Sequence, residues 1–411
     1  MTDNSESKVL SGVRVLEVAA WTFVPAAGAV LAEWGAEVIK VEPREGGDPQ
    51  RGLVTSGIVS GADQVNYMIE VPNRGKKSIG IDLRTPGGRE VLLELAKTAD
   101  VFLTSYLPSR RKRLGFDVDD IRAVNPNIIY VRGSGHGPKG PDADRPGYDG
   151  VSYWARGGIG AMLTAATEGV KEIVRQRPAF GDLLGGMTIA GGIAAALYKR
   201  ATTGEGSVVD VSLVGLAAWN LSPDIATSRM HDAAPPVTYT HADSPNPLVN
   251  NYLTSDGRYV TLMMLQLDKF FAEAMTAIGL PELVTDQRFA EQLPRYENRV
   301  ELVRLIDEAF AKRTLAEWRE ALAPLSGAWG VVQTPAEVCD DPTTVANGYV
   351  AKTTTMNGVP FKLAVNPVQF DEQHVVPPGA PEHGQHTEEI LMDAGLEWDR
   401  IQQLKDDGAV L

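Results

Sequence analysis

From residue 13 onward, short apolar runs alternate with longer segments whose hydrophobic positions recur at helical spacing. Residues 13–18 read as a buried strand, residues 19–24 as a short loop, and Pro25 as the first residue of a helix that runs through Trp34. Gly35 ends that helix and residues 38–42 predict a second strand, so the opening unit is strand, helix, strand. That order favours a parallel sheet, because a helix must carry the chain back before the next strand begins. The pattern recurs as a strand at 79–83, an amphipathic helix at 86–97, a strand at 101–104, a helix at 118–124 and a strand at 128–132. Further on, Pro178-Ala179-Phe180-Gly181-Asp182 leads into an apolar run ending near Tyr198, followed by a strand at 208–212. A helix apolar on every side is expected to be buried. Its glycines, Gly185-Gly186 and Gly191-Gly192, read as close-packing positions.

The character changes after about residue 225. Residues 230–251 are rich in Pro, Asp and His and read as a connection; residues 252–262 read as a hairpin turning at Asp256-Gly257. Helices are predicted at 267–278, 299–312 and 315–323, the last stopped by Pro324. Two more follow at 387–394 and 398–407, with Gly395 between them. The expected organisation is an α/β protein: a large domain from 1–225, a smaller α+β domain from 226–340, and a tail from 341–411 that returns to the large domain.

Composition narrows the function classes. Among 411 residues, 39 Lys and Arg face 53 Asp and Glu, a net charge of −14 that disfavours nucleic acid and anionic membrane surfaces as partners. A local basic cluster could still hold one phosphorylated ligand. The single cysteine, Cys339, leaves no internal disulfide or multi-cysteine metal site, and the six histidines show no metal spacing. Residues 1–7 are polar and acidic rather than signal-like, and no apolar run is expected to reach the ~18 residues of a membrane span. A cytoplasmic location follows as the expectation. Neither a P-loop nor a Gly-x-Gly-x-x-Gly element follows the strands.

Asp182 stands where the predicted helix begins. A carboxylate there can cap unpaired N–H groups. Alternatively it can attack a carbonyl whose developing oxyanion the same N–H groups hold. The residues alone leave both open.

Several motifs then resemble one family. They are Leu10-Ser11-Gly12-Val13-Arg14-Val15-Leu16-Glu17, Ala32-Glu33-Trp34-Gly35-Ala36-Glu37-Val38-Ile39-Lys40-Val41-Glu42-Pro43 and Asn73-Arg74-Gly75-Lys76-Lys77-Ser78. After these come Arg113-Leu114-Gly115-Phe116, Arg145-Pro146-Gly147-Tyr148-Asp149, Gly181-Asp182, Thr203-Gly204-Glu205-Gly206 and Gly384-Gln385-His386-Thr387. In this order they resemble the class III coenzyme A transferases, which include the α-methylacyl-CoA racemases. The resemblance implies a Rossmann-like large domain built from both chain ends, an inserted smaller domain, and two subunits interlocked as rings. It also implies acyl-CoA and a carboxylic acid as substrates, with no resident cofactor and no metal.

By the same resemblance Asp182 is the nucleophile. It attacks the thioester, gives a mixed anhydride and then an aspartyl-CoA thioester, and passes CoA to the acceptor acid. Lys76, Arg113 and Arg145 look like nucleotide-contacting positions, with Arg44 a weaker one and Asn73 in the same motif as Lys76. Thr22 and Phe23 follow the first strand, and Tyr106 follows another, at the strand ends where ligands bind in parallel sheets. Tyr148 and Asp149 occupy the place where racemases of the family carry His-Asp. A phenol of reference pKa near ~10 is a poor base at neutral pH, so transfer is favoured over racemisation. A racemase, or a CoA-binding protein without catalysis, are the other readings. His136 stands where the family usually has an aromatic residue and is read as packing. Trp21, Tyr153, Trp154, Met162 and Trp219 are candidates for an apolar acyl pocket. The region from Asn246 to Tyr252 lacks the glycine-rich loop of formyl-CoA transferases, so a larger or more apolar acid is expected.

Overall fold

The computed structural model describes residues 8–55, 65–165, 172–230 and 239–411. The acidic start at 1–7 and residues 231–238 of the expected connection lie outside the described residues. The chain divides into two compact units. One comprises Met1–Ala161, Arg175–Ala226 and Pro342–Leu411; the other comprises Met162–Val174 and Thr227–Asp341.

Six strands build the first unit: β1 (Arg14–Val18), β2 (Glu37–Pro43), β3 (Lys77–Ile81), β4 (Val101–Thr104), β5 (Ile129–Ser134) and β6 (Val208–Ser212). They lie in the order β3-β2-β1-β4-β5-β6, and every pairing is parallel. The order reverses between β1 and β4, and in such sheets ligands bind outside the strand carboxyl ends at that point. The sequence explains the regularity. Thr85 accepts the Gly88 N–H, Pro86 takes the first helical position, and the helix Pro86–Lys97 follows with the predicted bounds. Its apolar side, Val91, Leu92 and Leu95, enters a core in which Phe102 stacks on Tyr130 at 5.1 Å. The tail joins that core through Ile390, Leu391, Ile401 and Leu404. Leu411 N–H donates to Gly80 O at 3.0 Å, so the chain end lines the outer strand.

In the second unit β7 (Val249–Leu253) and β8 (Tyr259–Met263) pair antiparallel, with Gly257 at φ 75° in the turn between them. β9 (Trp329–Val331) extends this sheet, and a column of Tyr252, Phe310 and Trp318 rings (4.9 and 4.2 Å) fills its core. Residues 249–251, expected to end a connection, thus already belong to a strand.

Two local expectations are corrected. The helix after β1 starts at Phe23, two residues before Pro25, because a third-position proline sacrifices an N–H that has no helical partner anyway. The helix around Asp182 runs Phe180–Thr203, 24 residues of which one 18-residue stretch has a mean hydropathy of 1.4, long and apolar enough by length and composition to cross a membrane. One side of it is buried at Gly185, Gly186, Ile189, Ala190 and Ile193. The other side carries exposed Phe180, Leu183, Leu184 and Tyr198, so within one chain the helix is not buried all round.

Glycine sets how closely this helix approaches the Phe23–Glu33 helix. A Cβ at Gly186 would lie 2.5 Å from Ala26 Cβ and 3.0 Å from the backbone, and one at Gly185 would strike the Phe23 ring. Gly186→Ala is therefore expected to lower stability by about 1–3 kcal/mol, as measured by urea denaturation, because neither backbone can swing aside as a side chain can.

Candidate active site

Asp182 is the third residue of the Phe180–Thr203 helix, so it is not the cap. The cap position belongs to Ala179, held at φ 59°, whose methyl group accepts nothing. The capping acceptor comes instead from Asp149, whose Oδ2 takes the Gly181 N–H at 3.0 Å. Asp149 ends the excursion after β5 and leads directly into a π-helical turn, Gly150–Arg156. Glycine at 181 is required here, since a Cβ would lie 2.5 Å from Asp149 Oδ1 and against the Tyr153 ring. The Gly-Asp pair thus has a physical basis: the glycine admits one carboxylate, and the next residue supplies a second.

The two carboxylates differ. Asp149 is buried, and burial pushes its pKa up against the opposing hydrogen bonds from Gln176 and Gly181. Asp182 is half-buried and takes no side-chain hydrogen bond among the described residues. Burial first, and the Asp149 charge second, push it up to about 7. A helix first turn favours an anion by about 0.3–1 kcal/mol, which these two effects outweigh. The result is a carboxyl group that ionises near neutrality, is more basic than an ordinary carboxylate, and is not committed to a structural bond.

Two aromatic residues border this pair. Tyr148, next to Asp149, is 55% exposed and meets Trp21 edge-to-face at 5.5 Å between centroids. Trp21 sits just after β1 at φ 68°, a strained conformation for a bulky residue. His136 lies half-buried beside Gly147, and its Nδ1 is enclosed without a hydrogen-bond partner. Of the other acyl-pocket candidates, Tyr153 is core: it packs on Gly181, and its hydroxyl accepts from Asn220 at 2.7 Å. Trp154 is buried against Gly160, Trp219 is 78% exposed on the helix Leu213–Asn220, and Met162 belongs to the second unit.

The expected nucleotide contacts divide. Lys76 is fully buried, with Nζ donating to Glu17 (2.7 and 2.9 Å), Pro25 O (2.8 Å) and Asn73 Oδ1 (3.3 Å). Burial pulls its pKa down to about 7 against the attraction of Glu17. An ammonium so enclosed has no donor left for a phosphate, and the expectation for Lys76 is corrected. Asn73 is corrected with it, because its amide donates to Ile69 O at 3.1 Å and its oxygen faces Lys76. Thr22 is buried and accepts from Gln50 Nε2 at 2.8 Å, while the Phe23 ring is spent filling the space over Gly185 and Gly133. Arg145 pairs with Asp142, three residues back, at 2.9 Å and is absent from the cleft described next.

That cleft, of about 470 Å³, lies at the carboxyl ends of β2, β3 and β4 and brings together Arg44, Tyr106 and Arg113 with Arg84 and Arg110. Arg110 lies 4.4 Å over the Tyr106 ring, and Arg44 donates to Val410 O at 3.0 Å. With Glu42, Glu45 and Asp82 also lining the cleft and Asp82 paired with Arg84 at 2.8 Å, Arg44, Arg110 and Arg113 with the Tyr106 ring are the groups that suit a phosphorylated nucleotide. Arg84 and Arg110 escaped the sequence reading. Arg84 follows the end of β3 as Arg44 follows β2, so the rule that ligands gather at strand ends could have found it.

The raised pKa of Asp182 fixes a sign. The folded state keeps its proton to about 7, whereas an unfolded chain releases it near ~3.9. Stability from this group is therefore complete below the unfolded value and lost as pH rises through about 7. Asp182→Asn is expected to raise Tm at pH 8 while leaving it nearly unchanged at pH 4. Asp149→Asn is expected to lower the Asp182 midpoint, read by carboxyl carbon NMR, but not to the ordinary range, because burial is the larger cause.

Comparisons with known proteins identify the family. A family model described as CoA-transferase family III matches residues 10–387. The (R)-2-hydroxy-4-methylpentanoate CoA-transferase of Clostridioides difficile is 32% identical over 405 residues, covering 98% of this chain and 99% of its own. The cinnamoyl-CoA:phenyllactate CoA-transferase of Clostridium sporogenes is 30% identical over 414 residues, covering 99% of this chain and 98% of its own. A solved CAIB/BAIF family protein from Brucella suis matches with a TM-score of 0.80 and 29% identity, over 95% of this chain and 100% of that one. On the reach of the family match and the identity to these relatives, the chain belongs to CoA-transferase family III.

Proposed function

We propose that this protein moves CoA from an acyl-CoA thioester to a carboxylic acid, with Asp182 as the covalent nucleophile. The observation that carries the reading is the Asp182 carboxyl itself, free of capping duty and raised to about 7. One oxygen of the carboxylate attacks the thioester carbonyl, the C–S bond breaks, and the CoA thiolate leaves a mixed anhydride. The thiolate then attacks the aspartyl carbonyl, releasing the donor acid and leaving aspartyl-CoA. The acceptor carboxylate displaces the thiolate to form a second anhydride, and the returning thiolate takes the acceptor acyl group and restores Asp182. Atoms and charge balance with no outside oxidant or metal. The Arg44, Arg84, Arg110 and Arg113 cleft would hold the nucleotide.

The acids named for the two relatives, 4-methyl-branched and phenyl-bearing, support a bulky apolar substrate here. The exposed apolar side of the Phe180–Thr203 helix supports a homodimer in which a second copy covers it. A racemase reading has less support, because Tyr148 stands where racemases of the family carry histidine.

Asp182→Ala is expected to reduce CoA transfer by about a thousandfold or more while leaving CoA binding, read by calorimetry, within a few-fold. With wild type in D2O, the product should keep its α-proton by NMR. Exchange of that proton at the turnover rate would favour the racemase instead. Full turnover by Asp182→Ala would remove the nucleophile.

A further inference from the structure

We propose that Trp21, set against Tyr148, selects acyl groups with a bulky apolar or aromatic end over short ones. This rests on the transferase reading above and adds to it a residue that determines specificity.

The first observation is strain. Four described non-glycine residues have positive φ; one, Ala179, precedes the Asp182 helix, and another, Trp21, meets the ring of Tyr148 beside Asp149 in the chain. A bulky residue stays in that conformation only if its surroundings impose it. The loop after β1 is pinned accordingly. Ala20 N–H donates to Ser105 Oγ at 3.2 Å, and Trp21 N–H donates to Asp48 Oδ1 at 3.3 Å. Asp48 is itself held by an ion pair with buried Lys40 at 2.9 Å, and the same ammonium donates to Ala19 O at 3.1 Å. Neither Glu17, Lys40 nor Asp48 has any solvent-facing task. Their shared effect on the loop is to fix Trp21.

The second observation is the company the residue keeps. Two neighbours link its segment to that of Asp182. Phe23, two residues on, packs over Gly185, one helical turn beyond Asp182. Tyr148, the partner ring, adjoins Asp149, which accepts from the residue before Asp182. Of the remaining aromatic candidates, Tyr153 and Trp154 are core and Trp219 is largely exposed. Trp21 and Tyr148 therefore form an aromatic pair set in advance, one residue along the chain from Asp149. A preformed aromatic wall rewards an apolar acyl end and offers a short acyl group little.

The test compares kcat/KM for 3-phenylpropionyl-CoA and propionyl-CoA, with one acceptor, in wild type, Trp21→Gly and Trp21→Phe. Glycine adopts positive φ without strain, so Trp21→Gly keeps the loop and removes only the ring. The expected result is a wild-type preference for the phenyl ester that falls about tenfold or more in Trp21→Gly. Trp21→Phe should restore most of it. If Trp21→Gly turns over both esters with the wild-type ratio, or loses both in equal proportion, the inference is overturned while the transferase reading stands. If wild type transfers CoA from neither ester nor any other acyl-CoA, the transferase reading falls and takes this inference with it.

Discussion

The hydrogen bond from Gly181 N–H to Asp149 Oδ2 is the contact on which the site depends. An aspartate at a helix start usually serves the helix, because unpaired N–H groups are costly to leave unmet. Here a residue more than thirty positions earlier performs that service, and Asp182 is relieved of it. The same contact brings a second carboxylate close enough to raise the first. One bond therefore frees the group and makes it more basic, and its geometry demands that residue 181 have no side chain.

That contact in turn needs the helix to be seated correctly. Gly185 and Gly186 let it press on the Phe23–Glu33 helix, and Gly133 of β5 admits Val24 and Phe23 from the other side. Beneath lies a buried set of charges, Glu17, Lys40, Asp48, Glu42 and Lys76, joined by short ion pairs and by Ser78 and Arg51 at its margin. Burying so many charges is expensive unless each is paired. Burial pulls Lys40 down, yet the carboxylates around it hold it above the usual range, whereas burial prevails at Lys76. This set holds the loop after β1 and the strand ends in fixed register, which is what a reacting carboxyl and its neighbours require.

Much of this was legible in the sequence. The strands are short apolar runs with glycine or proline at their ends, and the helices Pro86–Lys97, Val118–Val124 and Leu267–Ile278 begin and end where periodicity and capping say. Asp182 stood out because it opens an apolar helix. Features that depend on three-dimensional neighbours did not show. Lys76 reads as a nucleotide contact until Glu17 is seen beneath it, and Thr22 as a ligand contact until Gln50 is seen to claim its hydroxyl. The cap from Asp149 could not be inferred, since nothing in its local sequence points to a helix start 31 residues on. Arg110 was invisible for the same reason, since charge along the chain says nothing about which guanidinium groups converge on one cleft, whereas Arg84 was within reach of the strand-end rule.

The most direct measurement is peptide mapping by mass spectrometry of the protein quenched in acid after mixing with an acyl-CoA and no acceptor. CoA should be found in thioester linkage on the peptide that contains Asp182, and it should vanish when an acceptor acid is added. CoA carried on a different residue, or no covalent CoA while transfer proceeds at full rate, would contradict a carboxylate nucleophile at that helix.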